Sequence, residues 1–282
     1  MYLRLINIDI ETKDTYVAMQ NNRILVAEQH QYSENLVLSW QPTKIVRLIM
    51  INISILIPVY NEERTIIPLL KSVKKETTKI KAVTFEIIVI DDCSQDKTNK
   101  LLKENETLYD HLISLEKNQG KGGAVLSGLK KAKGDYILFQ DADLEYSPKD
   151  YKALIGPIAD FKVDVVMGSR FVAPQFTRVH YFWHKAGNKT LTLFFNILNN
   201  TTFTDTYSCY LMYRKQLVPL EKIKTKGWEQ HGEILSLAVK NGSVFYEVPI
   251  TYSGRTYGEG KKIRAIHIFK IFYTMFMTRF FS

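Results

Sequence analysis

Cysteine is nearly missing from this sequence. Cys93 and Cys209 are the only two, too few and too far apart to read as a disulfide scaffold or a zinc site, and no Cys/His cluster with metal spacing accompanies them. A reducing compartment is the expectation. Long apolar runs are also lacking. Charge-free stretches near the hydrophobic C-terminus fall far short of the ~20 residues a spanning helix needs, and the N-terminus has no basic start followed by an apolar block. The expectation is a protein that is neither secreted nor integral to a membrane. A nucleotide-loop fingerprint is absent as well: Gly120 and Gly122 are not followed by the third glycine of the dinucleotide motif, and GxxxxGK[ST] occurs nowhere. What is present is an ordinary folded composition, 282 residues at 45% apolar, 24% charged and 12% aromatic. That balance excludes disorder, collagen and coiled coil, and suffices for one large core or two small ones.

The net charge of +9 is unevenly placed. Residues 1–49 carry five basic and five acidic groups, residues 50–159 sixteen of each, and residues 160–282 seventeen basic against eight acidic. A basic half beside a neutral one points to an anionic partner such as phosphate, nucleic acid or a membrane surface, or else to a solvated Lys-rich face. No nucleic-acid recognition motif is present, and the acids of the first half would repel a phosphate backbone, so nucleic acid is not an expected partner.

Residues 1–49 alternate short apolar and polar stretches and end in a Gln41-Pro42 break. They read as an appendage of uncertain order, a hairpin or two at most, or as a segment ahead of a true start at Met50. From Ile51 the pattern turns regular. Apolar runs at Ile53–Ile57, Glu86–Ile90, His111–Leu115, Tyr136–Gln140 and Asp164–Met167 alternate with helical stretches at about 61–76, 96–106, 121–133 and 148–160. Short runs that are nearly all apolar suit strands covered on both faces, and their alternation with helices predicts a doubly wound, mostly parallel α/β sheet. Ligands of such sheets sit at the carboxyl ends of the strands, so the segments after each run are where chemistry belongs.

Four segments follow strands. After the first comes Pro58-Val59-Tyr60-Asn61-Glu62-Glu63, where Pro58 would end the ladder and Asn61 would cap the next helix, with acids in its first turn. After the second comes Asp91-Asp92-Cys93-Ser94-Gln95-Asp96. One or two of these acids should cap the next helix, and the surplus leaves a cap and a polyol site such as ribose as equal alternatives. The third, Asn118–Ala124 around Lys121, is a glycine-permitted helix entry whose amides could face an anion. The fourth is the strongest. Asp141 and Asp143 leave a strand two residues apart, so extended backbone would put them on one side, where two unneutralised carboxylates repel. A hard divalent ion, Mg²⁺ or Mn²⁺, open to substrate phosphates would relieve that repulsion; a solvated acidic turn is the bland alternative.

The segments Ile57–Glu63, Val89–Ser94, Asn118–Gly123, Asp141-Ala142-Asp143, Gly168-Ser169-Arg170-Phe171 and Tyr252–Ile263, in this order, resemble family 2 glycosyltransferases, and among them the dolichyl-phosphate mannose synthase and polyprenyl-phosphate glycosyltransferase group. The likeness runs from about Asn52 to about Ile263. It implies a GT-A fold over residues 50–262 and inverting transfer of a hexose from a nucleotide sugar, GDP-mannose or UDP-glucose, to a dolichyl or undecaprenyl phosphate. It implies that Pro58, Tyr60 and Glu62, with Asp91 or Asp92, hold the nucleoside. It implies further that Asp141 and Asp143 bind metal and diphosphate, that Glu145 stands where the group often has Gln as a further metal contact, and that Arg170 and Arg178 meet the acceptor phosphate.

The chemistry of the residues is compatible with this. A diphosphate leaving group gains negative charge that a divalent ion stabilises as a Lewis acid. Lys121 joins the donor-binding set, and Arg255, Lys261 and Lys262 stand in a Gly-rich loop that could close over the same group or simply be mobile. A lipid phosphate, with a second pKa of ~6, is already largely dianionic and needs cations rather than a base. A sugar hydroxyl would need a proton acceptor, for which Asp205 is first and Glu233 second; with a phosphate acceptor both would instead orient basic groups or line the sugar pocket. Residues 263–282 read as an amphipathic basic helix with a polar stripe of Arg264, His267, Lys270, Thr274 and Thr278. Tyr181–Asn200 repeats the pattern with Lys185, Asn188, Thr192 and Asn196. Both suit a peripheral position on the cytoplasmic face of an anionic membrane, or packing on the core, a partner membrane protein or a second copy. Two other functional readings stay open: a family 2 enzyme with a glycan hydroxyl acceptor, and a nucleotide-sugar-binding protein without activity.

Overall fold

The computed structural model describes residues 6–10, 13–20, 23–28, 51–81, 83–172, 182–254 and 267–282. Its contacts divide the chain into two units, Met1–Ile49 and Met50–Ser282. In the first, strands β1 (Ile6–Ile10), β2 (Lys13–Gln20) and β3 (Arg23–Glu28) form an antiparallel meander, with Ile6 opposite Val17 and Gln20 opposite Arg23.

The second unit follows the alternation of its sequence. Its elements are β4 (Ile51–Val59), α1 (Ile66–Lys79), β5 (Val83–Asp91), α2 (Thr98–Lys103), β6 (His111–Ser114), α3 (Gly120–Lys131), β7 (Tyr136–Phe139), α4 (Tyr151–Phe161) and β8 (Val165–Ser169). They continue with α5 (Phe182–Asn199), β9 (Leu211–Arg214), α6 (Gln230–Asn241), β10 (Phe245–Pro249) and α7 (His267–Phe281). The seven strands lie in the order β10-β8-β9-β7-β4-β5-β6. All pairings are parallel except those of β9, which runs antiparallel to both β7 and β8. Five consecutive residues of β4, Ile53 to Ile57, are buried, as are the last five of β5, so helices cover both faces of the sheet centre. The doubly wound, mostly parallel architecture is the one expected.

The chain leaves β4 toward β5 and β6, and α3 then carries it back to β7 on the other side of β4. The direction of winding reverses between β4 and β7, and the crevice outside the carboxyl ends of these strands is where an open α/β sheet binds its ligand. β9 refines that rule. Because it runs the opposite way, its entry, Cys209 and Tyr210, arrives beside the exit of β7.

Three elements escaped the reading of the sequence: β9, α6 and β10. The two amphipathic helices are present, but their polar stripes are split: Lys185 and Lys270 are exposed, whereas the threonines of the stripes are buried. On α7, Thr274 and Thr278 of the supposed polar stripe are 7% and 3% exposed, whereas Phe269 and Tyr273 are 77% and 66% exposed. On α5, Thr192 is buried against Thr206 and Asn196 bonds the Phe203 carbonyl, while Leu193 and Ile197 face out. Leu191 and Phe195 of α5 do enter the core, and Phe194 meets Phe272 of α7 edge-on at 4.7 Å. Arg264 lies outside the described residues.

Candidate active site

The loops after β4 and β5 are sewn to each other. The Asn61 amide donates to Ser94 Oγ at 3.0 Å, and Asn61 Oδ1 accepts from the Gln95 amide at 2.7 Å. Glu62 N donates to Thr98 Oγ1, Glu63 N to Asp96 Oδ2, and Lys97 N back to Glu63 Oε2. This corrects the expected cap. α1 begins only at Ile66, has no acid in its first turn, and Asn61, Glu62 and Glu63 precede it as a bridge to the neighbouring loop. Pro58 likewise does not end the ladder but lies inside β4, in register with Ile90, with Tyr60 just beyond the strand.

Asp91 and Asp92, both buried, are used by the backbone around them. Asp91 Oδ1 accepts from the Ser94 amide and Oδ2 from Asn99 Nδ2 at 2.7 Å; Asp92 Oδ1 accepts from the Gln119 amide at 2.7 Å, anchoring the entry of α3. Burial raises the Asp92 pKa, against which the Gln119 and Gly120 amides pull down. Neither acid caps the helix that follows: the first amide of α2, on Thr98, goes to Asp96 Oδ1, and three oxygens of Asp91 and Asp92 are instead taken by amides of the adjoining loops and of the Asn99 side chain. Gly120 has φ +76°, and a Cβ on Gly122 would sit 2.5 Å from the Lys226 carbonyl, so the glycines of this segment let α3 begin tightly against that backbone.

The turn after β7 differs. Gln140, fully buried, fixes it: Oε1 accepts from the hydroxyls of Tyr151 and Tyr210, both at 2.8 Å, and Nε2 donates to the Asp141 carbonyl. Asp141 Oδ1 then meets Lys121 Nζ at 2.5 Å, and that ammonium also lies 5.5 Å from the centre of the Trp228 ring. Burial alone would raise the Asp141 pKa, but Lys121 and the Cys209 thiol hold it low. Asp143 is pushed up to about 7, first by burial and then by the charges of Asp141 and Glu145. His231, its ring against Phe139 and Tyr207, is lowered to about 4 by burial and by Lys121, so it is neutral at pH 7. Leu144, between the acids, has φ +62°; with Asn61 (+54°) and Cys93 (+61°) it gives each of the three post-strand loops a left-handed non-glycine residue, a form of strain that gathers at functional sites.

Beyond this turn, Tyr252 joins two parts of the site. Its hydroxyl donates to Glu145 Oε2 at 2.8 Å, and its ring lies 5.0 Å from the Arg170 guanidinium. Arg170 in turn grips Asp205 bidentately, Nε to Oδ2 at 2.6 Å and Nη2 to Oδ1 at 2.7 Å, while its own amide also donates to Oδ2. Asp205 is completely buried, and Glu247 holds the Thr204 and Asp205 amides from below. This geometry corrects the first choice of proton acceptor: a carboxylate with both oxygens on one guanidinium orients a cation. Glu233 is corrected on the same ground, since it accepts from the Lys224 and Thr225 amides and the Thr225 hydroxyl.

The structure thus gathers Lys121, Asp141, Asp143 and Glu145 in one place, with Arg170 and Asp205 across Tyr252, Pro58 and Asp91 at the ends of β4 and β5, and Tyr60, Glu62 and Asp92 in the paired loops beyond them. Arg178, Arg255, Lys261 and Lys262 lie outside the described residues. Reading the sequence missed Gln140, Tyr210, Tyr252, Trp228 and Glu247 as supports. Only the apolar run Tyr210–Tyr213, read as a strand, would have pointed to any of them.

Among the described residues no three carboxylate, imidazole or thiol groups converge as a finished metal cage. The donors nevertheless fit a hard divalent ion held by one or two carboxylates and completed by phosphates: they are all oxygen, and Asp143 is crowded by two like charges. No helix among the described residues is long and apolar enough to cross a membrane.

Known proteins resemble this chain. Residues 54–219 match the family model described as "Glycosyl transferase family 2". The chain is 30% identical over 247 residues to a UDP-N-acetylglucosamine–dolichyl-phosphate N-acetylglucosaminyltransferase of Methanococcus voltae, covering 80% of this chain and 96% of that one. It is 29% identical over 213 residues, 74% of this chain and 62% of the other, to an undecaprenyl-phosphate 4-deoxy-4-formamido-L-arabinose transferase of Proteus mirabilis. Among solved structures it resembles a glucosyl-3-phosphoglycerate synthase from Mycobacterium tuberculosis, crystallised with Mn²⁺, uridine diphosphate and phosphoglyceric acid. The TM-score is 0.59 at 17% identity, over 82% of this chain and 80% of that one, a likeness of fold.

Proposed function

The chain belongs to glycosyl transferase family 2, and from that premise we propose that it moves a sugar from a nucleoside diphosphate donor to the phosphate of a polyprenyl lipid. The observation that carries this reading is the engagement of Asp205 by Arg170 and of Glu233 by backbone amides. A hydroxyl acceptor needs a general base, and both acids that the sequence offered for the task are committed elsewhere. A lipid phosphate, largely dianionic at pH 7, needs none. The names of two relatives, one acting on a dolichyl and one on an undecaprenyl phosphate, support the same acceptor class.

In this reading the loops of β4 and β5, with Pro58, Tyr60, Glu62, Asp91 and Asp92, form the nucleoside end of the crevice. Asp141 and Asp143, with Glu145 behind them, would hold Mg²⁺ or Mn²⁺, which when bound supplies Lewis-acid stabilisation of the departing diphosphate. Lys121 adds a positive charge on the same side. Arg170, fixed by Asp205 and Tyr252, gives positive potential where the acceptor phosphate must approach, and Arg178, Arg255, Lys261 and Lys262 remain proposed phosphate contacts. Support for the donor favours a UDP-linked sugar over GDP-mannose, because UDP appears both in the name of the archaeal relative and in the metal complex of the structural neighbour.

The outward faces of α5 and α7 support access to the lipid. Leu193, Ile197, Phe269, Tyr273, Phe276 and Phe280 are exposed on helices that also expose Lys185, Lys189 and Lys270. Exposed aromatic groups beside lysines suit the interface of an anionic bilayer, and a peripheral position there is part of the proposal.

The test is incubation with Mn²⁺, a polyprenyl phosphate and a panel of radiolabelled UDP- and GDP-sugars. Label entering an organic-solvent-extractable, acid-labile product from one donor is the expected result. Label that stays in the aqueous phase with every donor, or enters only a glycan, would overturn the acceptor assignment.

A further inference from the structure

We propose that Lys121 is the resident cation of the Asp141–Asp143 turn: it holds Asp141 while the site lacks a metal, competes with a divalent ion for that carboxylate, and moves to the donor diphosphate when ion and nucleotide bind together. The proposal deepens the reading above and rests on its metal assignment.

The two acids of the turn are treated unequally. Asp141 has an ammonium at 2.5 Å, whereas Asp143 accepts the Glu145 amide at 3.1 Å and feels the charges of two carboxylates. A divalent ion held by Asp141 would bind a carboxylate that already carries an ammonium on Oδ1. Two cations do not sit side by side on one carboxylate without mutual repulsion. Lys121 is built to move while its base stays still. Its Cα belongs to the first turn of α3, which is anchored by Asp92 through the Gln119 amide and pressed through Gly122 against the Lys226 backbone. The four-carbon stem above it is flexible, and its head is a compact point charge rather than a planar fork. The Trp228 ring, on the chain segment that follows Lys226, already has its centre 5.5 Å from the ammonium that sits on Asp141, so a neutral partner stays within reach when the stem turns away from the carboxylate.

The competition gives opposite signs in two binding measurements on the full chain. Lys121→Met keeps the stem and removes the charge. Mn²⁺ alone, followed by the electron paramagnetic resonance of the free ion, should bind the variant about tenfold more tightly than wild type, an ordinary size for coupling between two ligands. UDP with saturating Mn²⁺, followed by calorimetry, should bind the variant more weakly, because the ammonium that meets the diphosphate is gone. Lys121→Arg, which keeps the charge, should hold Mn²⁺ as weakly as wild type. If Lys121→Met does not fold by circular dichroism, Lys121→Gln carries the same pair of measurements. Unchanged Mn²⁺ affinity, or weaker binding of both ligands, would make Lys121 a scaffold residue and overturn the proposal while leaving the metal assignment intact. No Mn²⁺ binding by wild type or variant would overturn both.

Discussion

Two pairs of acids leave the two strands that flank β4 in one sheet, and they meet different fates. Asp91 and Asp92, at the exit of β5, are satisfied by neutral donors: three amide groups of nearby backbone and side chain. Asp141 and Asp143, beyond β7, have a lysine on one member and two like charges pressing on the other. Neutral donors can make a carboxylate part of the architecture, whereas carboxylates crowded together resist ionising side by side, and a cation that relieves their repulsion is favoured there. Asp205 marks the third case, a carboxylate with both oxygens held by the protein's own Arg170.

The comparison can be broken or sharpened by substitution. The largest expected effect is at Asp205. Asp205→Ala strands a buried guanidinium, and breaking such a pair should cost about 3–5 kcal/mol of stability in a denaturant titration. A loss under 1 kcal/mol would mean that water reaches Arg170. Next comes Asp143→Asn, expected to fold normally yet to lower transfer about a hundredfold or more, the usual cost of one electrostatic contact to a developing charge. The same substitution carries a pH signature. With metal chelated, burial and the neighbouring acids raise the folded-state pKa of Asp143, so its contribution to stability is present at low pH and lost as pH rises toward and through neutrality. Thermal melts of wild type across that window should show the loss, and Asp143→Asn should flatten it. Asp92→Asn is expected to cost only about 1 kcal/mol, the scale of a lost cap, and to leave Mn²⁺ affinity unchanged. The smallest effect on stability is expected from Phe269→Ser on α7, within about 0.5 kcal/mol as for other exposed sites, although retention on anionic vesicles should fall. Equal retention of variant and wild type would remove that face from the membrane proposal.

What the sequence allowed to be read follows from which interactions are local. The strand–helix alternation and the acid pair after an apolar run are local patterns, and the resemblance of ordered motifs covered the rest of the catalytic half. Gln140 illustrates the opposite: besides Tyr151 it depends on Tyr210, 70 residues away and brought beside it because β9 runs against its neighbours. The four-residue β9 is too short for periodicity to announce it. Asp205 invited the role of a base because its partner Arg170 lies 35 residues earlier. The orientation of α5 and α7 has another origin. A narrow polar stripe on an apolar helix leaves open which side meets the core, and here Thr192 pairs with Thr206 inside while Phe269, Phe276 and Phe280 of α7 lie outside.

The central claim is that the crowded pair at Asp141 and Asp143 receives a divalent ion together with a nucleoside diphosphate. Calorimetric titration of UDP into the full chain, once with Mn²⁺ and once with a chelator, in wild type and in Asp143→Asn, addresses it most directly. The account predicts that Mn²⁺ tightens UDP binding to wild type by about tenfold or more, a common size for a coupling between sites, and that Asp143→Asn loses that gain. UDP binding with the same affinity under chelation, or a gain that survives in Asp143→Asn, would contradict it.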